Sequence, residues 1–310
     1  LAHEALIEES IYASHEIVED KYPNHFEIHR MDPDVILLHQ MVDDGANDFL
    51  RMLKQEFNIF TIFGIDDLVE KVPDKSSQKR LVYRDMRHRL RHNFAQCDRV
   101  IVSTQPIAEA YKELNDDIVV VPNYLESWRW QELSIIHEKR KTAKPRVGWA
   151  GAKQHDGDLE VIFDVVKEMS GEVTWVFFGM CPDEIKPYVE EIHEPVVFDA
   201  YPEALAKLDL DLAIAPLEML RFNEAKSNLR LLEYGVMGWP VVCSDIYPYQ
   251  TDNAPVIRVN NTKEEWLGAI RSVLKDEAVL KAKGKALNKW VSSRYMLDSN
   301  AQVWLRALTP

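Results

Sequence analysis

The stretch Asn223–Asp245, "NEAKSNLRLLEYGVMGWPVVCSD", decides the fold. It reads as a loop, a helix and a buried strand. Ser227 is a good N-cap, since its hydroxyl can take a free N–H of a helix running from Asn228 to about Met237. Gly238 suits the left-handed position past a helix end, and Pro240 suits the first position of a strand. Leu229, Leu232 and Val236 fall on one face at i, i+3 and i+7, a face that packs on a sheet. Two features go beyond packing: Lys226 stands at the helix start and Glu233 lies among the leucines. Two readings fit them. One is an anion site, in which the free N–H groups of Ser227, Asn228 and Leu229 and the positive dipole end join the charge of Lys226 to hold a diphosphate, while Glu233 accepts hydrogen bonds from a ribose diol. The other is a capped helix with a solvated lysine and a boundary glutamate.

The same unit recurs along the chain. Apolar runs rich in Val and Ile occur at 34–40, 58–65, 98–104 and 117–123, then at 145–151, 173–179, 195–200, 211–216, 239–245 and 254–259. Such runs suit strands buried on both faces of a parallel sheet. Helix patterns such as "DLEVIFDVVKEMS" and "TKEEWLGAIRSVLKDE" separate them. This alternation predicts a doubly wound α/β fold. The rhythm breaks near 124–145, a charged stretch with three aromatics near its start and a Pro at its end, which marks a linker. We therefore expect an incomplete Rossmann-like domain over 1–123, a complete one over 146–290, and a helix within 291–310 that returns toward the first domain. Met296, Val303, Trp304 and Leu308 are that helix's packing positions.

Composition sets limits. With 310 residues, 46% hydrophobic and 28% charged, the chain has enough apolar material for two cores. No apolar run approaches the ~20 residues of a membrane span. The acidic, helically patterned "LAHEALIEES" is not a signal peptide, and a first residue other than Met suggests a fragment or a processed chain. A net charge of -14 argues against a broad nucleic-acid-binding face. Cys97, Cys181 and Cys243 form no metal or disulfide pattern and fit a reducing, cytoplasmic setting.

The segment "FNEAKSNLRLLEYGVMGWPVVCSD" resembles the donor-site segment of GT-B glycosyltransferases, in the large retaining family (family 4-like) that includes sucrose synthases and many bacterial lipopolysaccharide and O-antigen transferases. "VGWAGAKQHDGDLEVI", "LDLDLAIAPL", "FGIDDL" and "VVVPNYLE" resemble further pieces of that family in the same order. The resemblance implies two Rossmann-like domains facing a cleft, a nucleotide-diphosphate sugar as donor substrate, no metal or other cofactor, and a glycan, lipid-linked or protein acceptor in cell-surface polysaccharide synthesis. It also implies a ribose-binding role for Glu233. The family's other glutamate would fall at Ala225, so the chain departs from the pattern there, with Glu224 one residue out of register. A sugar-nucleotide 2-epimerase and a non-catalytic binding module are the alternatives.

Other residues extend the candidate site. Gly148 and Gly151 allow a tight turn after a strand, where Lys153 and His155 can reach a phosphate and Asp156 or Asp158 can cap the next helix; His155 is also a catalytic candidate, because such loops face the interdomain cleft. Arg221 with Lys226 can neutralise a departing diphosphate. Asp67, and beside it Asp66, follows a buried strand, where α/β folds place chemistry, and suits orienting or deprotonating a hydroxyl; a helix cap is the plainer role. His39 ends another strand and is either a proton-transfer group or structural. Asp209 and Asp211 alternate with leucines, which suits strand-edge aspartates better than a metal pair. Arg80, Arg84, Arg87 and Arg91 recur on one face of an expected helix over 79–92, either a solvated face or a patch for an anionic acceptor or the inner-membrane surface.

Overall fold

The computed structural model describes residues 22–130, 133 and 144–310. The N-terminal helical pattern and residues 131–132 and 134–143 of the expected linker lie outside the described residues. Two parallel sheets organise the chain. The first contains β1 (Val35–His39), β2 (Phe60–Ile65), β3 (Arg99–Val102) and β4 (Ile118–Val120), in the order β1-β2-β3-β4. The second contains β5 (Arg146–Ala150), β6 (Thr174–Phe178), β7 (Glu191–His193), β8 (Leu212–Ala215), β9 (Val241–Ser244) and β10 (Ile257–Val259). Its order is β10-β9-β8-β5-β6-β7.

Strand alternation explains how the second sheet is covered. Val147, Trp149, Trp175, Phe177, Leu212 and Ile214 point to one face, under the helices Phe163–Met169 and Lys263–Leu274. Ala150, Val176, Phe178, Ala213 and Ala215 point to the other, under Leu229–Val236 and Glu277–Ser292. Both faces are therefore dry, which is why these strands are apolar throughout. The first sheet differs. Its strand order never reverses, and right-handed crossovers then put every connecting helix on one face. That face packs Leu38, Phe63, Ile65, Val100 and Val102 against Asp44–Glu56, Met86–Phe94 and Gln105–Tyr111. Ile62, Ile101 and Val121 on the opposite face meet Ala307, Val303, Trp304 and Leu308 of the last helix, Ala301–Leu308. Arg99 anchors this helix through hydrogen bonds from Nη1 to the carbonyls of Arg306 and Ala307.

Four expectations need correction. The run at 195–200 is not a strand: Val197 is 75% and Phe198 66% exposed. The edge strand is the polar "EIH" before it, held because Arg146 Nη2 donates to Glu191 Oε2 at 2.7 Å, while Pro195 has no N–H for a ladder. The segment 79–92 is not one helix. A 3-10 turn at Ser77–Leu81 precedes Met86–Phe94, so Arg80 and Arg84 leave the line of Arg87 and Arg91 and the four-arginine face does not form. Arg87 is paired with Glu70 at 3.2 Å. The final helix begins only at Ala301; Met296 instead bridges Leu125, binding the end of the chain to the segment that follows β4. The helix of the opening stretch starts at Leu229 with Asn228 as N-cap, one residue later than expected.

That helix ends as the glycine predicts. Gly238 has φ 77°, its N–H donates to Gly235 O at 2.9 Å, and Trp239 N–H reaches back to Tyr234 O at 3.1 Å, a Schellman closure. Gly284 of the helix Glu277–Ser292 abuts this turn, and a Cβ there would overlap the Gly238 carbonyl oxygen. Gly284→Ala is therefore expected to destabilise the protein by about 2–3 kcal/mol. A urea titration should show a lower midpoint at unchanged slope; an unchanged midpoint would contradict this packing.

Candidate active site

The strand order of the second sheet reverses between β5 and β8, and ligand crevices of open α/β sheets lie outside the carboxyl ends of the strands at such a point. Two loops leave the sheet there: the one that follows β5, through Asp158, and the one that follows β8, through Asn228. Close approach governs the first. A Cβ on Gly151 would overlap the Trp149 indole and lie 3.0 Å from Arg230 Nη2. A Cβ on Gly179, at φ 90°, would overlap the Gly151 carbonyl oxygen.

The two loops meet at Asp158, which is buried. Its Oδ1 accepts from the Glu218 N–H at 3.0 Å and from Asn223 Nδ2 at 2.6 Å. Its Oδ2 faces His155 Nδ1 at 3.0 Å and Lys226 Nζ at 3.6 Å. Burial alone would raise the Asp158 pKa, but these hydrogen bonds and cations outweigh it and hold the carboxyl below its usual range. For Lys226 burial prevails, so its pKa is lowered despite Asp158 and Asp67. His155 is pushed down to about 4, first by burial and then by Lys226 and Arg230, against the pull of Asp158. It is therefore neutral at physiological pH. Its Nδ1–H donates to Asp158, which leaves Nε2 as the acceptor facing Arg230 Nη2 at 3.5 Å.

Arg230 is the residue that sequence reasoning missed. Its guanidinium lies 5.5 Å from the centre of the Trp149 ring and 5.8 Å from that of Tyr234. Its Nη1 is shut off from solvent and hydrogen-bonded to nothing. Leaving a charged donor unpaired is costly, so such a group marks a place where an anionic partner fits. The signal in the sequence was an arginine in the first turn of a helix, where the helix dipole disfavours a cation. Farther along the helix, Glu233 is buried and accepts from the Tyr201 hydroxyl at 3.1 Å; burial raises its pKa, against Arg230 and Tyr201.

The first sheet meets this cluster directly. Asp67, just past β2, is raised to about 6 by burial and by Asp66, with Lys226 opposing. Thr104 Oγ1 donates to Ala225 O at 2.7 Å, and Asn123 Nδ2 to Ser227 Oγ at 2.8 Å. Lys75 Nζ spans Glu218 Oε1 at 2.6 Å and Glu160 Oε2 at 2.9 Å. Between these contacts a shallow cleft, open to solvent, is lined by Lys75, Asp158, Glu218, Asn223 and Lys226.

The remaining sequence candidates are placed as follows. Arg221 points away, 61% exposed and paired with Glu224 at 3.1 Å, because it opens a short helix whose buried side carries Phe222 and Asn223. Lys153 is exposed. Asn228 donates from Nδ2 to Thr251 Oγ1 at 3.1 Å, and the Leu229 N–H leans toward Ser227 Oγ at 3.4 Å, so that amide is engaged. His39 ends β1, exposed beside Gly64, and makes no hydrogen bond to the cluster.

No family model matches the chain, and no curated protein matches its sequence. Solved structures do match. TarM superposes with a TM-score of 0.63 at 16% identity, over 92% of this chain and 57% of TarM. Sucrose-phosphate synthase from Thermosynechococcus elongatus gives 0.66 at 15%, over 90% of this chain and 74% of that enzyme. Anabaena HepE in complex with UDP and glucose gives 0.61 at 13%, over 89% and 77%. This chain thus spans little more than half the length of TarM. At these identities the likeness is one of fold: two Rossmann-like domains in the GT-B arrangement.

The position of Asp67 has a measurable cost. The unfolded chain ionises this carboxyl near 3.9, the folded protein at about 6, so stability falls as pH rises through that window. Asp67→Asn should raise Tm at pH 7.5, by about 2–4 °C for a gain on the order of 1 kcal/mol, and leave it unchanged at pH 4. A variant destabilised at pH 7.5 would contradict this environment.

Proposed function

We propose that the chain is a glycosyltransferase that takes its sugar from a nucleotide-diphosphate donor. The observation that carries this is the cation pair Lys226 and Arg230, gathered at the β5/β8 reversal, with Arg230 Nη1 buried and unpartnered. The pair suits a diphosphate, whose charge grows as the bond to the sugar breaks. Arg230 takes the place that sequence reasoning gave to Arg221. Glu233, with Oε2 engaged by Tyr201, would receive ribose hydroxyls. Asp67 would receive or orient the acceptor hydroxyl from the facing domain, and His155 would border the phosphates. Because two side chains supply the positive charge, turnover is expected to need no added metal. Transfer with retention to a glycan or lipid-linked acceptor in cell-surface polysaccharide synthesis is the fuller form of the proposal, and it rests on the sequence resemblance. The HepE complex with UDP and glucose favours UDP-sugars as the first donors to test.

Two experiments decide. Lys226→Ala and Arg230→Ala should each weaken nucleotide-sugar binding by about 10- to 100-fold, the loss expected for a charge-assisted hydrogen bond, while Arg221→Ala stays within about twofold. Isothermal titration with UDP-, GDP- and dTDP-sugars measures this, and a larger effect at Arg221 would move the site. Release of nucleoside diphosphate with a new glycosidic product, undiminished by EDTA, is the expected turnover. Binding with neither release nor a changed sugar would identify a binding module, and a 2-epimeric sugar, free or still on its nucleotide, would identify an epimerase.

A further inference from the structure

We propose that His155 is an ionisable member of the diphosphate cradle, neutral while the cradle is empty and taking up a proton as a nucleotide sugar binds, so that it joins Lys226 and Arg230 as a third cation. The proposal rests on the donor site argued above. The charged groups facing the imidazole come from three elements. Asp158 lies at 3.0 Å on its own short helix, Lys226 at 3.3 Å in the loop after β8, and Arg230 at 3.5 Å in the helix Leu229–Val236. The fourth neighbour, Trp149 of β5, is an uncharged ring at 6.2 Å.

This arrangement holds two cations against one anion, which disfavours a further positive charge on a ring only 17% exposed. A bound diphosphate reverses the balance. It brings one negative charge on each phosphate, pairs off Lys226 and Arg230, and leaves Asp158 in place on Nδ1. The Nε2–Arg230 contact is long for a hydrogen bond, so Arg230 can turn to a phosphate oxygen without giving up a strong partner. Nε2 then faces an anion and gains by carrying a proton. No covalent step is involved; the proton comes from solvent.

Nucleotide sugars are diphosphate diesters that do not titrate near neutrality, so any proton taken up goes to the protein. Titration calorimetry of UDP-glucose, GDP-mannose and dTDP-glucose at about pH 6, in buffers of different ionisation enthalpy, reads that proton directly. For whichever sugar binds, we expect uptake approaching about one proton per site, with affinity tightening about three- to tenfold as pH falls from 7.5 to 6. In an Asp67→Asn background, which removes the carboxyl that also titrates near pH 6 at this site, His155→Gln should abolish both effects while retaining weaker binding. Nitrogen-15 spectra of histidine-labelled wild-type protein give a measurement that needs no variant: one imidazole should pass from neutral to doubly protonated at saturation. Buffer-independent heat, or an imidazole that stays neutral in the complex, overturns the proposal and leaves the donor site standing. Failure of all the nucleotide sugars to bind overturns the donor reading, and this proposal with it.

Discussion

The rest of the site depends on one buried carboxylate. Asp158 draws the Glu218 amide and Asn223 onto one oxygen, and His155 and Lys226 toward the other. It thereby joins the loop after β5 to the loop after β8 across the point where the sheet order reverses. A buried charge is tolerated only when its hydrogen-bonding capacity is filled, and two of the filling groups here, His155 and Lys226, belong to the proposed donor site. The same carboxylate opposes the loss of charge that burial favours at the Lys226 amine, selects the histidine tautomer and fixes the loop that precedes the helix of Arg230.

Fold and site are coupled at a second place, the segment from Phe222 to Ser227. Phe222 and Ala225 belong to the core of the first sheet, although the chain there is running between strands of the second. Ala225 is almost wholly buried and offers its carbonyl to Thr104. This is the position at which the resembled family carries a glutamate. A carboxylate would be enclosed here in apolar contacts, so alanine is the residue that the interdomain packing accepts. Glu224 does not stand in for the missing group, since it turns outward to Arg221. Lys226 is thus positioned from both sides: through Asp158 by the second domain, and through Phe222, Ala225 and Asn123 by the first.

The two sheets also explain how the chain end is used. A sheet whose order never reverses is covered by its own crossovers on one face only. The last helix, which follows the second sheet in sequence, covers part of the other face of the first with Val303, Trp304, Ala307 and Leu308. The bridge between Leu125 and Met296 holds the two crossing segments together on the way. The domains are therefore connected by packing as well as by the chain, which helps to hold Asp67 within electrostatic reach of Lys226.

The sequence by itself determined nine of the ten described strands, because burial leaves runs of Val, Ile and Leu that local reading detects. It also determined the helix stop at Gly238, since only a residue without Cβ penalty takes φ 77° there readily. It pointed to His155 and Asp67 because each lies in a loop after a strand's carboxyl end, and to Lys226 because it stands at a helix start. Only the tertiary structure shows that Arg230 faces the Asp158 cluster while Arg221 turns outward to Glu224. Both are arginines within one short stretch, and their directions depend on where the chain turns from the short helix at 221–224 into the next one. It likewise decided that "EIH" rather than "PVVFDA" forms the edge strand, through an ion pair to Arg146, which is 45 residues distant in the chain. Local composition records what is buried; which charges meet depends on contacts between segments far apart in sequence, and here those contacts are made by the Asp158 carboxylate and the interface between the two sheets.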